Sequence, residues 1–121
     1  MLPEIPGVDG FWESLDRLVS QSTVRIDRPQ GATHPRYPSF RYPLDYGFLA
    51  GTRAADGGGV DVWVGSLPLR TVTAVVCTVE LLKRDTEAKL LLGYTHEEAM
   101  TVLAIHNTSL QAAILIERHG T

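Results

Sequence analysis

Between Asp9 and Gln21 apolar side chains recur at helical spacing. Phe11, Leu15, Leu18 and Val19 fall at i, i+4, i+7 and i+8, one face of a helix, and Asp9 stands where an N-cap belongs. The period then changes. Thr23 to Arg28 alternates, Val24 and Ile26 against Arg25 and Asp27, which predicts a short strand ended by Pro29. Pro29, Pro35, Pro38 and Pro43 forbid a helix up to Pro43, so this stretch is expected to be an ordered loop. Its Tyr37, Phe40 and Tyr42 would pack against a sheet.

Ala55-Asp56-Gly57-Gly58-Gly59 reads as a permissive turn. Val60 to Gly65 follows as a strand, with Val60, Val62 and Val64 on one face and Asp61 and Trp63 on the other. Leu69 to Lys83, rich in valine, predicts a long strand, and Arg84-Asp85-Thr86 a tight connection. Ala88 to Tyr94 predicts another strand. Thr95-His96-Glu97-Glu98 has the capping-box pattern and opens a helix to about Asn107, after which Gln111 to Arg118 closes the chain as a strand. The layout is mainly β with flanking helices, an α+β chain. Mostly local connections around a long central strand suggest a small, closed or nearly closed β-barrel with helices outside it.

At 121 residues the chain fits a single domain, residues 1–121, with an N-terminal helix region at 1–22 and the barrel at 23–121. A net charge of −3 leaves no global basic surface, so no nucleic-acid partner is expected. No apolar run reaches the roughly 18 residues that span a bilayer, so no membrane partner is expected. The first residues, Met1-Leu2-Pro3-Glu4-Ile5, lack a basic stretch followed by an apolar one, so no signal peptide is read. The single cysteine, Cys77, excludes an intramolecular disulfide and fits a core position in a reducing, cytoplasmic protein.

The candidate chemistry clusters near the glycines. Asp56 and Asp61 flank them, and Asp85 and Glu87 stand at a later connection, followed by Lys89. In a meander, alternate connections reach the same end of a barrel. Four carboxylates at one rim would make an oxygen-rich site of the kind Mg²⁺ prefers. Arg36, Arg41 and Lys89 would supply phosphate contacts. Each residue also has a plainer role. Acidic turn residues are often only solvated, Tyr46 suits a core, and His106-Asn107 suits a helix C-terminus. Asp61, inside a strand and opposite the valine face, is hardest to explain in that way.

Several segments together resemble the soluble family I inorganic pyrophosphatases. Tyr42-Pro43-Leu44-Asp45-Tyr46-Gly47-Phe48-Leu49 is similar to that family's Tyr-Pro-x-Asn/Asp-Tyr-Gly segment. At the family's distance follows Asp56-Gly57-Gly58-Gly59-Val60-Asp61-Val62-Trp63-Val64, similar to its Asp-Gly-Asp-Pro-x-Asp-Val signature. Glu80 to Leu90 resembles a shortened version of its next acidic segment, and Ile26-Asp27-Arg28-Pro29 with Arg36-Tyr37 resembles its start. The resemblance implies a five-stranded OB-like barrel and Mg²⁺-dependent hydrolysis of pyrophosphate, with Mn²⁺ as a substitute. It implies metal ligation by Asp56, Asp61, Asp85 and Glu87, with Asp56, Asp61 and Lys89 as the catalytic set. Arg36, Tyr46 and Lys89 would bind substrate, Arg41 would stand in for a missing arginine, and Asp27 would take the place of a metal-linked glutamate.

The departures change what is expected. Gly58 stands where the family has the aspartate that prepares the attacking water, and Gly59 replaces the signature proline. Losing a general base costs about 10²–10⁴-fold in rate. His106-Asn107 stands where the family carries a Tyr-Lys pair. Two readings follow: a weakened Mg²⁺-dependent phosphoanhydride hydrolase, or a non-catalytic module of the same fold that binds a phosphorylated ligand, a metal or partner subunits. The aliphatic segments Leu69–Leu82 and Ala112–Ile116 suggest a homo-oligomer, as in bacterial members of that family.

Overall fold

The computed structural model describes residues 8–55, 57–108 and 110–118. Asp56 and Ser109 lie outside them. Helix α1 (Val8–Ser20) is followed by strands β1 (Thr23–Arg28), β2 (Asp45–Ala50), β3 (Val60–Val64), β4 (Val72–Glu80) and β5 (Asp85–Leu92). Helix α2 (His96–Ile105) and strand β6 (Gln111–Glu117) complete the chain. None of the described helices is long and apolar enough to cross a membrane.

The strands form one six-stranded sheet in the order β1-β2-β3-β5-β4-β6. All neighbours are antiparallel except β3 and β5, which run parallel, with Val62 opposite Leu90 and Trp63 opposite Leu91. The expected five-stranded closed barrel is corrected to an open sheet with β1 and β6 at its edges. The added strand is β2. Pro43 and Gly47 obscure it, since both residue types are depleted in strands. Gly47 is required there, because a Cβ would run into the Arg25 carbonyl of β1. The strand pairing also replaces the meander by a crossover. Because β3 and β5 are parallel, the glycine turn and the turn before β5 still lie at one end of the sheet.

Two cores sandwich the sheet. On one face α1 buries Trp12 and Val19 against Leu49, Val62, Val75 and Leu90. Its inward stripe is Trp12, Leu15 and Val19, whereas Phe11, expected on that stripe, is exposed. Asp9 lies within the helix rather than at its cap. Asp16 fixes α1 to the sheet. One of its carboxylate oxygens accepts from the Val72 amide at 2.9 Å, and the other pairs with Arg118 at 2.8 Å. On the opposite face Trp63, Val76 and Leu91 pack with Tyr42, Leu44 and the α2 residues Ala99 and Val102. The alternation along β3 is as expected: Val60, Val62 and Val64 face α1, and Trp63 faces α2.

Helix α2 begins on the expected capping box. Thr95 accepts from the Glu98 amide, and the Glu98 carboxylate accepts from the Thr95 amide at 2.8 Å. The loop between β1 and β2 folds back on itself. The Gly31 amide donates to the Tyr42 carbonyl at 2.8 Å, the Tyr42 amide to Ala32 at 2.9 Å and the His34 amide to Phe40 at 3.1 Å. Phe40 and Tyr42 of this loop are thereby carried over the α2 face of the sheet, whereas Tyr37, expected to pack there too, is exposed.

Candidate functional site

Strand pairing brings Lys89 of β5 beside Asp61 of β3. Trp63 opposes Leu91 in the parallel ladder, so two residues earlier Asp61 and Lys89 share the same level and face. The Lys89 ammonium donates three hydrogen bonds of 2.9 Å, to the Asp61 carboxylate, the Glu87 carboxylate and the Tyr46 hydroxyl. Glu87 reaches it because residues i and i+2 of a strand project together. Lys89 is buried, while the Asp61 and Glu87 side chains keep 29% and 21% of their surface. All three ammonium protons are used, so the buried cation is satisfied. Burial opposes its charge, but the nearby oxygens of Tyr46 and Asp61 outweigh burial and raise its pKa. Burial, reinforced by the Asp61 carboxylate and opposed by the Lys89 charge, likewise pushes the Tyr46 phenol upward. Lys89 is therefore a fixed ammonium and Tyr46 a neutral phenol at ordinary pH.

Behind this group Trp63 and His106 form a second polar contact. The Trp63 Nε1–H donates to His106 Nε2 at 3.1 Å. Indole nitrogen only donates, so Nε2 accepts and the proton sits on Nδ1, 2.9 Å from the Gln111 Oε1 that accepts it. Burial, helped by the Lys89 charge and opposed by the Gln111 bond, lowers the His106 pKa and keeps the ring neutral. Asn107 completes the corner. Its amide donates to the Leu103 and Ala113 carbonyls and accepts from the Ala113 amide, tying the end of α2 to β6.

These groups open into a cleft of about 720 Å³ between the folded-back loop and the α2–β6 corner. Lys89, Tyr46 and His106 form its floor, and Arg36 and Lys83 stand on its rim.

No family model matches the chain, and no curated protein matches it. Solved structures do. An inorganic phosphatase from Anaplasma phagocytophilum superposes with a TM-score of 0.54 at 14% identity, over 78% of this chain and 81% of that one. An inorganic pyrophosphatase from Helicobacter pylori gives a TM-score of 0.52 at 15% identity, over 79% of this chain and 75% of that one. The chain has the fold of the inorganic pyrophosphatases. At this identity the likeness carries architecture and leaves chemistry to the residues present.

Within this pyrophosphatase-type fold the residues singled out in the sequence separate into two groups. Arg36, Tyr46 and Lys89 meet at the cleft, with Asp61 and Glu87 bonded to Lys89. Arg41 is exposed outside the cleft lining and donates to the Gly31 carbonyl at 3.2 Å. Asp27 is exposed on the edge strand β1. Asp56 falls outside the described residues. Asp85 is not in a connection as expected. It is the first residue of β5, opposite Glu80, roughly 13 Å along the strand from Lys89. The turn instead spans residues 81–84, so Leu81 and Leu82, read as strand, are exposed turn residues.

Among the described residues no three acidic, histidine or cysteine side chains gather to hold a metal ion. The two carboxylates that do meet each give an oxygen to Lys89, and the three together carry a net charge of −1. Each carboxylate keeps its second oxygen for a cation, while the ammonium between them opposes further positive charge. Lys89 therefore weakens this pair of carboxylates as a site for a divalent cation without removing their remaining oxygens. The sequence reading missed the roles of His106, Gln111 and His34. His106 reads in the sequence as a helix C-terminal residue, and it is one, but the bond to Trp63, 43 positions earlier in the chain, also turns it inward.

Proposed function

We propose that this protein is a non-catalytic module of the pyrophosphatase fold that binds a phosphorylated small molecule in the cleft. The observation that carries this reading is the Lys89 ammonium held by Asp61, Glu87 and Tyr46. Carboxylates that a metal-dependent hydrolase would commit to Mg²⁺ each share one oxygen with a side-chain ammonium here. Gly58 adds to this, since glycine offers no group to take a proton from water. Arg36 and Lys83 remain on the rim to meet an anionic ligand.

The test is phosphate release from pyrophosphate in the presence of Mg²⁺ or Mn²⁺, with Asp61→Asn prepared alongside. We expect no release above a protein-free control. Turnover that disappears in Asp61→Asn would establish the hydrolase reading instead. The proposal also includes self-association through the face of β4 and β6 turned away from α2. Val79, Ile114 and Ile116 lie there together and are 50%, 62% and 44% exposed. Burying such a face in a second copy is the usual remedy for an apolar sheet edge.

A further inference from the structure

The cleft is much larger than a bare phosphate or pyrophosphate requires. At about 720 Å³ it falls within the range of about 300–1,000 Å³ that holds drug-sized organic ligands. Its lining combines two kinds of group. One is aromatic: His34 and Tyr37 sit with ring centroids 5.0 Å apart, and His34 stacks over Tyr42 at 6.3 Å with 11° between the planes. Tyr37 is 59% exposed, so its surface is not used up by the core. The other is charged: Arg36, Lys83 and the Glu80 carboxylate. The Lys83 amide donates to the Glu80 carboxylate, no ion pair engages the Arg36 or Lys83 side chain among the described residues, and Arg36 directly precedes Tyr37, which places charge beside the ring. Gln111 also lines the cleft. Among the described residues its side-chain oxygen bonds His106 while its amide N–H groups have no acceptor, which leaves them to face a ligand.

We infer that the cleft binds a phosphate ester carrying a flat aromatic group, the class to which nucleotides belong, rather than inorganic phosphate alone. The inference rests on the reading of the protein as a phosphorylated-ligand module and names the class of ligand. The aromatic group would stack on Tyr37 and His34, the phosphate would meet Arg36 and Lys83, and Gln111 would donate to an acceptor on the ring edge. Stacking on an aromatic side chain tolerates many ring types because every such ring has a π face. The fork of Arg36 suits the paired oxygens of a phosphate.

Isothermal titration calorimetry on the full chain tests this with the four ribonucleoside 5′-monophosphates, phenyl phosphate, adenosine, inorganic phosphate and pyrophosphate. At least one aromatic phosphate is expected to bind about tenfold more tightly than inorganic phosphate, pyrophosphate or adenosine. Tyr37→Ala should weaken that compound about tenfold and leave inorganic phosphate unchanged, while Arg36→Ala should weaken both. Tyr37 is exposed, and its replacement should leave the circular dichroism spectrum unchanged. Pyrophosphate binding as tightly as every aromatic phosphate would overturn the inference and leave the broader function standing. Absence of binding by any phosphorylated compound would overturn both.

Discussion

Removing the Lys89 ammonium would leave Asp61 and Glu87 facing each other without a counter-charge. Breaking a fully buried pair by deleting one partner costs about 3–5 kcal/mol. Asp61 and Glu87 keep part of their surface, so Lys89→Met should lower the free energy of urea unfolding by about 1–3 kcal/mol. Adding Asp61→Asn and Glu87→Gln to Lys89→Met should restore most of the loss. A loss below about 1 kcal/mol would show that the three side chains do not act as a unit. His106 predicts a pH dependence. Its pKa lies below the ordinary 6.5, so on acidification the unfolded imidazole takes a proton before the folded one does. The contribution of this group to stability is complete above about 6.5 and declines as pH falls below it. Urea midpoints measured from pH 8 to pH 5 should fall less steeply in His106→Gln than in the unaltered protein. Neither feature was legible in the sequence, since each rests on a register or contact between distant segments. Lys89 read alone is a plausible phosphate ligand, and only the parallel pairing of β3 with β5 shows which carboxylates it meets.

The elements differ in how openly the sequence declares them. Helix α2 is announced by a reciprocal local contact, Thr95 with Glu98, which needs no tertiary information. Thr95→Ala should cost about 1 kcal/mol in thermal or chemical unfolding. Because α2 carries His106 at its end, the loss should be accompanied by faster hydrogen exchange at the α2–β6 corner. Strand β2 is hidden for the opposite reason. Its glycine lowers local strand preference, yet it is demanded by the close approach of β1. The β4–β5 turn was misplaced because Leu81 and Leu82 prolong the apolar run past the last paired residue, Glu80. Their exposure shows that an apolar run marks a strand's existence better than its end.

For the whole molecule, hydrophobic periodicity was enough to indicate α+β architecture and two helices flanking strands. It did not encode which strands are neighbours. The 3-5-4-6 order and the open edges follow from the crossover after β3, for which single-strand patterns carry no mark. The apolar edge face of β4 and β6 belongs to this scale. Multi-angle light scattering should give a mass above 13.3 kDa, and Ile114→Lys with Ile116→Lys should return it to the monomer value. A monomer at high concentration without these substitutions would refute self-association through this face.

The two tryptophans lie on opposite sides of the sheet, Trp12 in the α1 core and Trp63 against His106. Their fluorescence can therefore be assigned to separate layers. With Trp12→Phe, all remaining indole emission would come from the cleft side, where the Trp63 N–H ends on an imidazole. Protonating that imidazole removes the acceptor and should quench the signal. The protein thus carries its own optical titration of His106, readable without a label and independent of any ligand assay.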